Sequence, residues 1–203
     1  MAFKKVRRYL KSTRTIGITY GTRENPDTTD NDTSFVKVYS DADWAGDTST
    51  NQSISGYTFL AADNPIAWGS NKQTSVTLST CETEYVAAHS TAREATWIRF
   101  LLHEIDPPEA TATSLSSKDT TQRIPPIPLA MDNQGAIALA NLQAPNRRTR
   151  HINMKYHYLR EYIQNGVVKS YFIPITAMVA DGFTKALNTI KFNTFLSLLG
   201  LYR

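Results

Sequence analysis

The stretch "VYSDADWAGD" at residues 38–47 decides the fold, because an apolar run ends there in closely spaced aspartates. Residues 34–40, "SFVKVYS", predict a buried strand that Asp41 follows at once. Aspartate is common where strands turn, so Asp41, Asp43 and Asp47 could be turn residues only. Carboxylates at a strand end can also hold a metal ion. Both interpretations stay open at this level, and the rest of the chain must separate them.

The composition is that of one globular domain with appendages. The chain has 203 residues, 41% of them hydrophobic and 20% charged, with a net charge of +4. Its single cysteine, Cys81, excludes a disulfide framework and a cysteine-based zinc site. No run reaches transmembrane length, and the basic N-terminus lacks the apolar centre of a signal peptide. We therefore expect a soluble, intracellular protein without a membrane partner.

Periodicity outward from this stretch predicts an α/β domain with a mixed sheet. Three strands with short connections favour an antiparallel meander, and a strand–helix–strand crossover then adds a parallel strand. The predicted strands are 34–40, 55–62, 66–71, 127–131 and 167–175. The predicted helices are 78–104, 134–141, 146–166, 177–187 (capped by Thr176) and 192–201. Before this domain come a basic amphipathic helix at 1–14, a strand at 15–20 and a polar linker, and a Pro/Ser/Thr-rich mobile loop is expected at 106–126.

The long helix places one of its two early glutamates toward the sheet. Ser79 and Glu82 form a capping box, so the helix begins there. Glu84 shares a face with a series of small and apolar residues: Ala88, Thr91, Ala95, Ile98 and Leu102. Glu82 lies about 200° away around the axis, since a helix has 3.6 residues per turn. We expect Glu84 to point inward and Glu82 to face solvent.

Topology then predicts a cluster of carboxylates. Asp41 and Asp132 would leave the carboxyl ends of neighbouring parallel strands, and the antiparallel helix returns Glu84 to the same edge. Asp181, near the start of the next predicted helix, is a fourth candidate. Like charges repel and their desolvation is costly, so such a cluster calls for a divalent cation. Carboxylate oxygens favour Mg²⁺ or Mn²⁺, and two ions would suit phosphodiester hydrolysis.

Five segments in order resemble the ribonuclease H domain of copia-type LTR retrotransposon Pol polyproteins. They are "YSDADWAGD", "GYTFLAADNPIAWGSNKQTSVTLSTCETEYVA", "MDNQGAIALA", "RTRHINMKYHYLRE" and "VADGFTKAL". The resemblance covers about residues 34–201. Residues 1–20 resemble the end of the reverse transcriptase that precedes this domain in such polyproteins. The resemblance therefore divides the chain into a reverse transcriptase tail with linker, 1–33, and a ribonuclease H-like domain, 34–203.

The resemblance implies a fold, an activity and a site. The fold is ribonuclease H-like, with a five-stranded mixed sheet flanked by helices. The activity is cleavage of the RNA strand of RNA–DNA hybrids during reverse transcription, with two Mg²⁺ or Mn²⁺ ions on Asp41, Glu84, Asp132 and Asp181. The partner is the polyprotein's reverse transcriptase, in a cytoplasmic virus-like particle or reverse-transcription complex, with the nucleus as an alternative. Cellular ribonucleases H carry a histidine shortly before the last aspartate, whereas "IPITAMVA" has none.

Other residues have competing interpretations. The run "NRRTRH" at 146–151 could be a solvated helix start, but basic charge there opposes the helix dipole, so phosphate contact is favoured. Its candidate nucleic-acid ligands are Arg147, Arg148, Arg150 and His151. Trp44, Trp68 and Trp97 are expected in the core, although Trp44 could line a groove beside Asp41. Two rival functions remain: a non-catalytic nucleic-acid-binding or tethering module of a decayed or repurposed element, and an integrase- or resolvase-type nuclease.

Overall fold

The computed structural model describes residues 2–18, 20, 35–47, 49–105, 124–142 and 158–202. The strands are β1 (Gly17–Ile18), β2 (Val36–Asp47), β3 (Gln52–Ala61), β4 (Asn64–Lys72), β5 (Ile127–Met131), β6 (Val168–Phe172) and β7 (Leu201–Tyr202). The helices are α1 (Ala2–Ser12), α2 (Thr80–Ile105), α3 (Gln134–Asn141), α4 (Tyr158–Gln164), α5 (Asp181–Thr184) and α6 (Thr189–Leu199), with a 3-10 turn at Ile175–Ala177.

Five strands form one mixed sheet in the order β4-β3-β2-β5-β6. Strands β2, β3 and β4 are antiparallel neighbours, whereas β5 is parallel to both β2 and β6. The predicted meander and crossover are both present, because α2 connects β4 to β5 and returns the chain in the same direction. This confirms the α/β class and the five-stranded mixed sheet. Outside this sheet, β1 pairs with β7.

Helix α2 forms the main core with one face of the sheet. Its small side chains Ala88, Ala92 and Ala95 are fully buried and pack with sheet residues such as Val38 and Leu129. Small residues let the backbone of α2 approach the sheet closely. This close packing also fixes the position of the first turn of α2 relative to the sheet. A separate cluster of Leu60, Val179 and Leu199 joins the sheet to the α5 and α6 region.

Strand β2 and the segment 177–187 differ most from the sequence predictions. Strand β2 continues through Asp41 to Asp47, because antiparallel β3 keeps pairing with it after the parallel partner β5 has ended. The predicted helix 177–187 is replaced by the 3-10 turn and the single turn α5. There Met178 and Ala180 pack in one apolar cluster with Ala130 and Ile173, while Val179 packs in another with Leu60 and Leu199.

The tryptophan prediction was wrong. Trp44, Trp68 and Trp97 are 49%, 53% and 56% exposed, so none is in the core. Trp44 is instead held at the surface by a bond from its indole N–H to the Thr77 carbonyl.

Several predicted segments fall partly or wholly outside the described residues. They include the linker, most of the 106–126 loop and residues 146–157 of a predicted helix. The described end of that helix, α4, stops as expected before Gly166, whose φ of 65° suits glycine. Within the described ranges, no helix is long and apolar enough to span a membrane.

Candidate active site

Strand register brings two aspartates to one level of the sheet. Tyr39 on β2 lies opposite Ala130 on β5, and the parallel pairing described for these strands ends there. Asp41 and Asp132 each follow two residues later, so they leave the paired region side by side and point to the same face. Helix α2 begins at this edge and adds Glu84. One carboxylate oxygen from each of these three residues lies within 4.8 Å of the others.

A polar network ties the start of α2 to the sheet and so sets the position of Glu84. The Gln73 amide donates to Ser55 Oγ at 2.8 Å and to the Thr83 carbonyl at 3.1 Å. Thr77 shares hydrogen bonds with Ser53 and Thr83. This network could not be predicted from the sequence, since the isolated polar residues in "KQTSVT" do not reveal their distant partners.

The capping box is confirmed, but the orientation expected for Glu82 was wrong. The Glu82 N–H donates to Ser79 Oγ at 3.2 Å, and the Leu78 N–H donates to the Glu82 carboxylate at 2.8 Å. Glu82 is only 7% exposed, because this capping bond folds its side chain back over the first turn. Glu84 faces the aspartates as predicted, so the assignment of the inward glutamate holds.

Burial and crowding make the cluster electrostatically costly. Asp41 is fully buried and Glu84 is 6% exposed. Burial, followed by the neighbouring charges of Asp41 and Asp132, raises the pKa of Glu84 to about 9. Burial also raises the pKa of Asp41 to about 6, against the lowering effects of Thr184 and Lys185. The pKa of Asp132 is raised, again mainly by burial.

One oxygen of Glu84 has no hydrogen-bond partner. Its Oε1 accepts the Ala42 N–H at 3.3 Å. Its Oε2 is buried and unpaired within the part of the chain that the structure describes. A buried carboxylate oxygen without a donor is costly, so this atom is suited to accept a cation.

Asp181 reaches the cluster through a lysine. Asp181 is not part of the group formed by Asp41, Glu84 and Asp132. Its Oδ1 atom accepts a hydrogen bond from Lys185 Nζ at 2.7 Å. The same ammonium lies 3.3 Å from the Asp41 carboxylate. Burial opposes the charge on Lys185, but the hydrogen bond to Asp181 and the charge of Asp41 outweigh it and raise the lysine pKa above its ordinary value. The structure thus brings three predicted carboxylates together and connects the fourth by a salt bridge.

Thr184 and Lys185 are site residues that the sequence analysis did not identify. The Thr184 hydroxyl donates a hydrogen bond to the Asp41 carboxylate. This contact is possible because α5 packs against Gly56, the residue on β3 that is paired with Asp41 on β2. A Cβ on Gly56 would lie 2.7 Å from the Thr184 methyl group and 2.9 Å from Phe183 Cβ. The spacing of Asp181 and Lys185, four residues apart, was the only sequence signal.

The predicted nucleic-acid ligands Arg147, Arg148, Arg150 and His151 lie outside the described residues. They stay a prediction.

The five-stranded mixed sheet, with an acidic cluster at the edge where β2 and β5 end, is the architecture that the sequence motifs implied. No protein-family model matches the chain. It is 33% identical over 202 residues to the retrovirus-related Pol polyprotein from transposon RE2 of Arabidopsis thaliana. It is 31% identical over 201 residues to the Pol polyprotein from transposon TNT 1-94 of Nicotiana tabacum. The relationship to copia-type retrotransposon Pol polyproteins that the motifs indicated is therefore confirmed.

These alignments cover 100% and 99% of this chain but only 12% and 13% of the two polyproteins. The chain thus spans about one eighth of the length of these relatives. Among solved structures, the N-terminal RNase H domain of a Mycobacterium tuberculosis protein superposes with a TM-score of 0.48 at 12% identity. That superposition covers 81% of this chain and 96% of the other.

Proposed function

We propose that this domain is the ribonuclease H of a copia-type retrotransposon. It would hydrolyse the RNA strand of RNA–DNA hybrids formed during reverse transcription. The observation that supports this most directly is the convergence of Asp41, Glu84 and Asp132 at the edge of the sheet, within 4.8 Å of one another. The proteins that align with the whole length of this chain are Pol polyproteins, and this similarity supports the same proposal.

The residues present fit a pair of hard divalent cations, Mg²⁺ or Mn²⁺. The donors are carboxylate oxygens, and Glu84 offers a buried oxygen with no other partner among the described groups. Asp181 completes the proposed ligand set from the opposite side of Lys185. When bound, two such ions would activate a water and stabilise the leaving oxygen of a phosphodiester.

The chain's own groups hold the ligands in place before any cation arrives. Thr184 and Lys185 fix the Asp41 carboxylate from α5, while the Ala42 N–H fixes Glu84 from β2. The Lys185 ammonium supplies the positive charge that the cluster needs in the absence of metal. Asp132 is less buried than Asp41, so an incoming phosphate would reach it more easily. These groups therefore orient the ligands and limit their repulsion.

The substrate and partner follow from the same proposal. An enzyme of this kind must find a 2′-hydroxyl on one strand and its absence on the other. The run with Arg147, Arg148, Arg150 and His151 would contact phosphates of the hybrid. Residues 1–33 would connect the domain to a reverse transcriptase in the same polyprotein. The complex would work in a cytoplasmic virus-like particle, with the nucleus as the alternative site.

A single-turnover cleavage assay tests the proposal. End-labelled RNA–DNA hybrid, RNA duplex and DNA duplex are incubated with protein in Mg²⁺, Mn²⁺, Ca²⁺ or a chelator. We expect cleavage of the hybrid alone, in Mg²⁺ or Mn²⁺ only, because Ca²⁺ coordinates too loosely to position the water. Asp132→Asn should abolish cleavage while binding holds, and Glu82→Gln should retain it.

The other outcomes are equally informative. Cleavage in the chelator would refute the metal requirement, and preferential cleavage of DNA duplex would favour the integrase-type alternative. Binding of the hybrid without cleavage in either metal would favour the non-catalytic binding module.

A further inference from the structure

The basic character of the chain is concentrated at its N-terminus. Residues 1–14 hold six basic residues and no acidic residue: Lys4, Lys5, Arg7, Arg8, Lys11 and Arg14. Residues 15–203 hold 16 basic and 18 acidic residues, a net charge of −2. The net positive charge of the chain therefore comes from its first 14 residues, and where they lie decides which surface attracts a polyanion most generally.

The structure packs this segment against the ribonuclease H-like domain. Strand β1 pairs with β7, with Gly17 opposite Tyr202 and Ile18 opposite Leu201. The rings of Tyr9 and Phe192 meet edge to face at 5.8 Å. The hydroxyl of Tyr20 donates to the Pro65 carbonyl at 2.9 Å. Helix α1 therefore has a defined place on the domain.

That place adjoins the acidic cluster. An open cavity of about 1070 Å³ lies between α1 and the α5–α6 region, with Lys5 and Tyr9 on one side and Gly182 and Lys185 on the other. Lys185 also contacts Asp41 and Asp181, so this residue is common to the cavity and the candidate site.

The basic side chains of α1 are available to a ligand. All are exposed, and none forms an ion pair with an acidic residue in the described ranges. Eleven helical residues extend about 16 Å, which equals roughly five base steps of a nucleic-acid strand at 3.4 Å each. The length and charge suit several phosphates of one backbone.

We propose that α1 is a phosphate-binding flank of the nuclease site, which contacts the sugar–phosphate backbone of a nucleic acid whose scissile phosphate lies at the carboxylates. This rests on the proposed function. The segment that resembles a reverse transcriptase tail thereby becomes part of the nuclease's own substrate surface. The cavity shared with Lys185 favours this occupant over an anionic membrane, which would have no reason to lie beside the acidic cluster. Phe3 and Leu10, 78% and 60% exposed, make the membrane the alternative to test.

Fluorescence anisotropy with a labelled 20-base-pair RNA–DNA hybrid in Ca²⁺ tests the flank. The test variant is Lys5→Gln/Arg8→Gln, and the matched control is Arg93→Gln/Lys169→Gln, which removes the same charge from exposed positions on α2 and β6. Glutamine keeps helix propensity, so circular dichroism should be unchanged. We expect the test variant to bind about tenfold more weakly at low salt, with a slope of log affinity against log salt that is shallower by up to about 2. The control should change affinity less than about twofold.

Each possible result supports or refutes the role proposed for α1. If test and control variants lose affinity equally, the flank is refuted while the proposed function stands. If the wild type binds the hybrid through α1 but never cuts it in Mg²⁺ or Mn²⁺, the proposed function fails, and α1 is then a hybrid-binding helix of a non-catalytic module and not the flank of a nuclease site. Wild-type protein that binds no nucleic acid would refute both. If the test variant binds hybrid normally but no longer co-sediments with phosphatidylserine vesicles, α1 is a membrane-binding helix and the proposal is overturned.

Discussion

Replacing Glu84 with glutamine should stabilise the metal-free protein, although the same change should abolish cleavage. The Glu84 carboxyl ionises near 4.5 in an unfolded chain, whereas burial and the nearby aspartates raise its pKa to about 9 in the fold. Between these values the unfolded state releases a proton that the folded state keeps. The contribution of Glu84 to stability is therefore largest below pH 4.5 and falls as the pH rises toward 9.

The size of the effect follows from the shift. One pKa unit corresponds to about 1.4 kcal/mol, so ionisation of the unfolded chain at pH 7 costs the fold up to about 3 kcal/mol. At pH 5 the cost is under about 1 kcal/mol. Glutamine cannot ionise and can still accept the Ala42 N–H. The free energy of unfolding of Glu84→Gln should therefore exceed that of the wild type by an amount that grows from pH 5 to pH 7.

Urea unfolding in a chelator, followed by far-ultraviolet circular dichroism at both pH values, measures this difference. Glu82→Gln is the control, because it removes a carboxylate from the same helix turn but leaves the group of Asp41, Glu84 and Asp132 intact. Millimolar Mg²⁺ should stabilise the wild type, by about 2.7 kcal/mol if its concentration is 100 times the dissociation constant, which offsets most of the difference at pH 7. The reasoning fails if Glu84→Gln and the wild type lose stability in parallel between pH 5 and pH 7, since Glu84 would then be ionised in the fold.

Three further changes test the α5 side of the site. Lys185→Met removes an ammonium that competes with metal, so Mn²⁺ affinity measured by electron paramagnetic resonance should tighten on the order of tenfold; unchanged affinity would contradict the competition. Thr184→Val removes the hydrogen bond to Asp41 and should raise the Asp41 pKa further above its value of about 6, as seen by carbon NMR titration of the carboxyl group. Gly56→Ala places a methyl group against Thr184 and should lower stability by about 1–3 kcal/mol and weaken Mn²⁺ binding, whereas lower stability with intact binding would show that α5 shifts without disturbing Asp41.

Local sequence was sufficient for the elements that carry strong periodicity. The small-residue face of α2 and its capping box predicted both the helix and which glutamate points inward, because a helix fixes the relative direction of side chains a few residues apart. The mixed sheet followed from connection lengths, since short loops allow antiparallel neighbours and a helical crossover returns a strand in parallel. These features also predicted that Asp41, Glu84 and Asp132 would meet.

Only the tertiary structure shows where groups lie when their position depends on contacts between distant segments of the chain. The segment Met178–Ala180 packs into two separate apolar clusters where a helix was predicted, and Thr184 reaches Asp41 only because Gly56 leaves room. The place of Lys185 between Asp41 and Asp181, and of α1 beside them, likewise depends on packing between segments far apart in the chain. The residues 1–14 and their charge were visible in the sequence from the start. Their position next to the carboxylates was not, because a sequence records charge but not which surfaces a fold brings together.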